Sequence, residues 1–167
     1  MIGDIRTSRD TLLVLIRREP GLHLREIPRR LGISLGSARY HLAALAGTDS
    51  VVEVRHGRFV RWFPTDGLAP ADFRLICALR IRRQREILLY MLDRGPCRFS
   101  EIRSATVMPS SALAADLRRL IVTGLVASRA GPQYELTDAP LIRRQVKRYR
   151  AEFPDLLADA AREIFEL

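Results

Sequence analysis

Between Leu24 and Pro64 the spacing of apolar positions changes twice, and the changes predict a helix, a tight turn, a second helix and a two-stranded hairpin. Leu24, Ile27 and Leu31 recur at three- and four-residue steps, which is the spacing of one helical face. Gly32 stops that helix. Ser34 is suited to cap the next one, which is expected to run to about Ala46 and to close at Gly47 in the left-handed conformation common after helices. At about 100° per residue, Ala38, Leu42 and Leu45 fall on its inner side. Ser37, Tyr40, Ala43 and Ala44 fall on the outer side, flanked by Arg39 and His41. Two runs rich in β-branched and aromatic residues follow, Val51 to Val54 and Phe59 to Phe63, on either side of a tip at His56-Gly57-Arg58. Two short helices joined across a glycine-containing turn predict a helix-turn-helix, and the hairpin is its wing.

The remaining pattern extends this unit and then repeats it. Upstream, Leu12, Leu13, Leu15 and Ile16 form the apolar side of a helix from Asp10 to Arg18, ended by Glu19-Pro20-Gly21. Thr65 to Asp72 is rich in turn formers and marks a boundary. Phe73 to Arg94 reads as one or two helices, stopped by Gly95-Pro96. A shift of 75 positions then superposes Glu26-Ile27 on Glu101-Ile102, Ile33 on Met108, Leu42 on Leu117, Leu45 on Leu120 and Val51 on Val126 without a gap. Such a uniform offset predicts a second copy, with a wing from Val126 to Leu136 folded at Gly131-Pro132. The expected fold is mainly α with small β wings: two tandem winged helix-turn-helix domains, residues 1–66 and 67–138, plus a C-terminal helical extension, 139–167. In that extension Asp138 caps a helix carrying Arg143, Arg144, Lys147, Arg148 and Arg150, and an amphipathic segment runs from Asp155 to Leu167.

Charge narrows the function. The chain has 28 basic and 19 acidic residues, a net charge of +9, and only Lys147 among the basic residues is not arginine. A small protein this basic most often meets nucleic acid, and less often an acidic membrane surface or an acidic protein. No apolar run is long enough to span a membrane, and the N-terminus lacks the pattern of a signal peptide, so a cytoplasmic location is expected. Cys77 and Cys97 are isolated, and His23, His41 and His56 share no ligand spacing, so reduced, partly buried thiols and no metal or cofactor are expected. No nucleophile-base set, phosphate-cradling glycine loop or paired-carboxylate site is visible, and the chain does not read as an enzyme.

The two copies differ on the face expected to carry function. Copy one offers Ser37, Arg39 and Tyr40 on the second helix, with His41 at its flank, and Arg55, His56, Arg58 and Arg61 in the wing. In copy two the helix has Ala112, Ala114, Ala115 and Asp116, followed by Arg118 and Arg119, and the wing has only Arg129. Copy one is the expected reader of DNA and copy two a scaffold.

The stretch SLGSARYHLAALAG followed by VVEVRHGRFVRWFP resembles the ArsR/MarR-type winged helix-turn-helix regulators, in particular the archaeal-type proteins with two such domains in tandem. The resemblance rests on Ser34, Gly36, Ser37, Ala38, Tyr40, His41, Leu42, Gly57 and Arg58, and extends over about residues 8 to 137. It implies a sequence-specific regulator of transcription, with helix 35–46 in the major groove of double-stranded DNA. Ser34, Ser37, Arg39 and Tyr40 would then make base or phosphate contacts, and His41 either a structural hydrogen bond or a phosphate contact. Arg55, His56, Arg58 and Arg61 would hold the backbone or the minor groove. A homodimer is expected, since one reader helix covers a half-site. The basic run Arg143, Arg144, Lys147 and Arg148 is either a solvated helix face or a secondary contact to the DNA backbone. Two alternatives remain open: a tandem winged-helix protein-protein adaptor, and a chromatin- or replication-type DNA binder without sequence preference.

Overall fold

The computed structural model describes residues 5–57 and 59–149. Arg58, Arg150 and the amphipathic segment from Asp155 to Leu167 therefore lie outside the described residues. The chain divides into two compact units, Met1–Cys77 and Ala78–Leu167.

Unit 1 begins with α1 (Ile5–Arg18) and a two-residue strand, β1 (Leu22–His23), then α2 (Glu26–Leu31) and α3 (Leu35–Gly47). The hairpin β2 (Val51–His56) and β3 (Phe59–Pro64) follows, and α4 (Pro70–Leu79) runs across the division between units. The antiparallel sheet has the order β1-β3-β2. α1 starts five residues earlier than its apolar pattern predicts, because the polar run Thr7 to Arg9 carries no periodic signal. The first strand has no counterpart in the sequence reading. Two residues are too few to alternate, and only pairing of Leu22 with Trp62 and His23 with Arg61 defines it.

Leu12, Leu15 and Ile16 of α1, Leu22, Ile27, Ala38, Leu42, Leu45 and Val51 form one buried cluster, with Trp62 at its edge. Most of the periodic residues of the sequence belong to this core, and Leu13, Leu24 and Leu31 are partly buried against it. Gly32 takes the left-handed conformation (φ 67°) that ends α2, as its position requires. At the end of α3 the left-handed residue is Asp49 (φ 54°), which corrects the expectation for Gly47, the last helical residue. Thr48 makes this possible: its hydroxyl donates to the carbonyl of Leu45 at 3.1 Å, one of the acceptors a helix end leaves open. Gly21 is needed for space as well as for its φ of 79°, since a Cβ there would stand 2.9 Å from Ile76 Cγ2 and 3.1 Å from the Phe63 ring. Phe73 of α4 stacks on the same Phe63, with ring centroids 4.6 Å apart.

Unit 2 contains α5 (Arg82–Arg94), β4 (Cys97–Arg98), α6 (Phe99–Thr106), α7 (Ser110–Val122), β5 (Val126–Ser128), β6 (Gln133–Leu136) and α8 (Ala139–Tyr149). Its sheet has the order β4-β6-β5. Residues 70–94 thus form two helices. The 75-residue offset carries β1 onto β4 and the bounds of α3 onto those of α7. It also carries details that apolar spacing cannot report. The Glu26 carboxylate accepts the His23 N–H at 2.6 Å, and Glu101 accepts the Arg98 N–H at 2.5 Å. The Thr48 hydroxyl donates to Leu45 O and the Thr123 hydroxyl to Leu120 O. Ile27, Leu42, Leu45 and Val51 are buried, and so are Ile102, Leu117, Leu120 and Val126. Beyond the shorter second hairpin the offset drops to 72: Val51 pairs with Pro64, and Val126 with Leu136.

Both cysteines are buried and free. Burial, with the Glu101 carboxylate nearby, pushes the Cys97 thiol up to about 11, so at neutral pH it is a protonated core residue. Among the described residues no group of three or more His, Cys, Asp and Glu side chains is placed to hold a metal ion. Among the same residues no helix is long and apolar enough to cross a membrane.

Candidate nucleic-acid interface

Ser34 Oγ accepts the Ser37 N–H at 3.0 Å and so starts α3 one residue after the α2–α3 turn. Ser34, expected at the DNA surface, is exposed and has this capping role. Ala38, Leu42 and Leu45 point into the core, which leaves Leu35, Gly36, Arg39, Tyr40, Ala43, Ala46 and Gly47 exposed. Tyr40 has 73% of its surface accessible. Ser37 and Ala44 are half-buried, as is His41, whose ring meets the Tyr40 ring edge-on at 5.3 Å. α3 contains no acidic residue, so no side chain of its own offsets the partial positive charge at its N-terminus. Arg39 has no carboxylate partner among the described residues.

The wing is less uniform than its sequence suggests. Antiparallel pairing sets His56 opposite Phe59, Arg55 opposite Val60 and Val54 opposite Arg61. Side chains alternate between faces along a strand, so Arg55 and His56 leave opposite faces of the hairpin. Arg55 is exposed and shares its face with Glu53. His56, half-buried, is on the other face with Phe59, which meets the His23 ring edge-on at 5.5 Å.

Arg61 also belongs to that second face, and it corrects the sequence reading. Only 7% of its surface is accessible, and its Nη1 donates to the Gly21 carbonyl at 2.8 Å. A guanidinium clamped between the wing and the turn after α1 is not available to phosphate. Its placement follows from β1: the sequence could not show that a third strand pairs alongside β3 and covers that end of it. Arg85 of unit 2 is a similar clip, buried with Nη1 on the Leu79 carbonyl at 2.6 Å, and burial pulls its pKa below the ordinary value.

Two cations that the sequence reading passed over are exposed here, Arg25 at the N-cap of α2 and Arg29 within it. Arg30 beside them is engaged, at 3.0 Å from the buried Glu19 carboxylate. The signal was present in the run Ile27-Pro28-Arg29-Arg30, but only the ion pair separates Arg29 from Arg30.

In unit 2 two of the corresponding groups are held in ion pairs, while Arg118 is exposed on α7. Asp116 stands where unit 1 has His41 and is wholly inaccessible. Its carboxylate accepts from Arg83 at 2.8 Å, Arg119 at 3.0 Å and Gln84 at 3.2 Å. This corrects the picture of an aspartate displayed beside alanines: Asp116 ties α5 to α7 and holds two arginines to itself. Ala112, Ala114 and Ala115 are half-buried. In the second hairpin, Arg129 Nε lies 2.6 Å from Glu135 Oε2. That hydrogen bond and the Glu135 charge push the Arg129 pKa up.

Residues 6–72 match a family model described as an N-terminal HTH domain. The matched stretch runs from α1 into α4, and it supports a helix-turn-helix DNA-binding domain in this part of the chain. No curated protein matches the chain.

Proposed function

We infer that the chain is a sequence-specific regulator of transcription that reads double-stranded DNA with unit 1. The observation that carries this is the outer face of α3: exposed, free of acid, and bearing Arg39 and Tyr40 immediately after a capped turn. In this reading α3 enters the major groove, where Arg39, Tyr40 and Ser37 meet base edges and phosphates. Arg55 and Arg58 contact the backbone from the wing, and Arg29 of α2 contacts it from the crossing helix. His41 positions the Tyr40 ring, and His56 and Arg61 hold the wing.

Unit 2 is a second winged helix of an ArsR/MarR-like tandem chain, with the reader ending near residue 66, the second domain near 138 and an extension beyond. The register shared by the two units supports this part. A homodimer would place two reader helices on two half-sites. An adaptor role for unit 2 has one specific support, the exposed Val107 and Val122, accessible at 88% and 82%.

Selection of bound fragments from random duplexes, followed by anisotropy titration on the selected sequence, tests the reading. The Arg39→Ala/Tyr40→Ala chain should lose its preference for that sequence over random duplex, on the order of 1 to 3 kcal/mol for each base contact removed. An unchanged preference would remove α3 from the reader role.

A further inference from the structure

We propose that α8 is a second nucleic-acid contact, a phosphate-binding face through which unit 2 touches duplex DNA although α7 does not. This goes beyond the reader assignment and does not use α3. Asp138 opens the helix by accepting the Leu141 N–H at 2.8 Å. From there Ile142, Gln145, Val146 and Tyr149 turn inward and are buried, at steps of three, one and three. Arg143, Arg144, Lys147 and Arg148 take the opposite face, all exposed, at steps of one, three and one. Among the described residues none of the four has a carboxylate partner. Arg143 reaches the Leu92 carbonyl at 3.5 Å, and the Arg148 guanidinium lies 5.3 Å from the centre of the Tyr149 ring.

Three observations set this face apart from an ordinary solvated one. Five other arginines of unit 2 are paired with acids: Arg82 with Glu86, Arg83 and Arg119 with Asp116, Arg94 with Asp93, Arg129 with Glu135. Arg98, Arg103 and Arg118 are exposed singly on separate elements, whereas α8 gathers four cations without a carboxylate partner among the described residues on one face. Next, 143 with 147 and 144 with 148 are like charges four residues apart, an arrangement that destabilises an isolated helix. The helix dipole favours Lys147 and Arg148 in the last turn but gives nothing to Arg143 and Arg144 in the middle. An external polyanion supplies the compensation that the described residues do not. A row of cations about one helical turn apart complements duplex phosphates, and arginine presents a fork that matches them.

The test uses the full chain. Arg144→Gln, Lys147→Gln and Arg148→Gln are combined, and binding to a fluorescent random-sequence duplex is followed by anisotropy across about 50 to 200 mM salt. Affinity should fall, and the slope of log affinity against log salt should become shallower by about 2 to 3, near 0.9 for each phosphate no longer neutralised. Preference for the selected sequence over random duplex should stay unchanged. A chain with Arg144→Lys and Arg148→Lys should keep the slope and so separates charge from folding. An unchanged slope and affinity in the triple variant overturns the proposal. So does unchanged duplex binding with weakened binding to phosphatidylserine vesicles, which would make the anion a lipid surface. The Arg39→Ala/Tyr40→Ala chain separates the two readings. If it keeps its sequence preference while the triple variant flattens the slope, the reader assignment fails and α8 stands.

Discussion

His41 and Asp116 hold corresponding places on α3 and α7, and their surroundings separate the two units. His41 is half-buried and meets the flank of an exposed tyrosine, so the face beside it stays open. Asp116 is sealed off and gathers Arg83, Gln84 and Arg119 around its carboxylate. Two units with the same strand order and the same capping contacts thus differ in where their arginines point. Both are net basic, so total charge does not distinguish them. Along α3 and α7 the difference is that Asp116 holds Arg83 and Arg119 in ion pairs, whereas Arg39 has no carboxylate partner among the described residues.

The largest expected effect follows from that contrast. Asp116→Ala should destabilise unit 2 by about 2 to 4 kcal/mol, because the buried Gln84 amide loses its acceptor and the two arginines lose theirs. Both arginines are more than half exposed and can turn to water, which keeps the cost below that of a fully buried ion pair. His41→Ala should cost less than about 1 kcal/mol. Urea unfolding of the two variants makes the comparison, and equal losses would remove the distinction.

Next in size is Arg61→Leu, which removes a charged donor from the buried Gly21 carbonyl and should cost about 2 kcal/mol. Arg55→Leu at the exposed site should leave stability nearly unchanged and lower duplex affinity. A crossed result, with Arg55 stabilising and Arg61 setting the salt slope, would show that the two wing faces have been assigned the wrong way round.

The helical and strand elements were largely legible in the sequence because burial imposes a period: Ile27, Leu42, Leu45 and their counterparts 75 residues on are all in the core. The site was legible only where function depends on one element alone. Arg39 and Tyr40 are exposed because of their angle on α3, and that angle follows from spacing. Arg61 and Asp116 were misjudged because their partners come from other elements, β1 for the first and α5 for the second, and no local pattern encodes a partner. Arg25 and Arg29 were missed for the same reason: an exposed arginine and a paired one look alike until the carboxylate is located.

A smaller effect tests the two turns. Val107 has φ 51° in the place where Gly32 has φ 67°, and a β-branched residue is strained in the left-handed conformation where glycine is not. Val107→Gly should stabilise unit 2 by up to about 1 kcal/mol, the relief of backbone strain less the entropy that glycine loses on folding. Gly32→Val, with open space around the added Cβ, should destabilise unit 1 by about 1 to 2 kcal/mol through backbone strain alone. Thermal midpoints of both variants check the pair, and a stabilising Gly32→Val would show that the two turns are not equivalent.

The smallest expected change bears most directly on the proposal that unit 1, and not unit 2, is the reader. Glu135 holds Arg129 across the second hairpin, at the end where unit 1 presents Arg55 without a carboxylate partner among the described residues. Glu135→Gln removes the charge while keeping an oxygen that can accept from Arg129, so the hairpin keeps its pairing and the arginine's charge is left uncompensated. If counter-ion pairing is what withholds this wing from phosphate, the variant should bind random duplex slightly more tightly. Its salt slope should steepen by up to about 0.9, the value of one added phosphate contact. A slope identical to that of the parent chain would mean that neutralisation is not the reason, and that the geometry of the shorter hairpin keeps Arg129 away from the backbone.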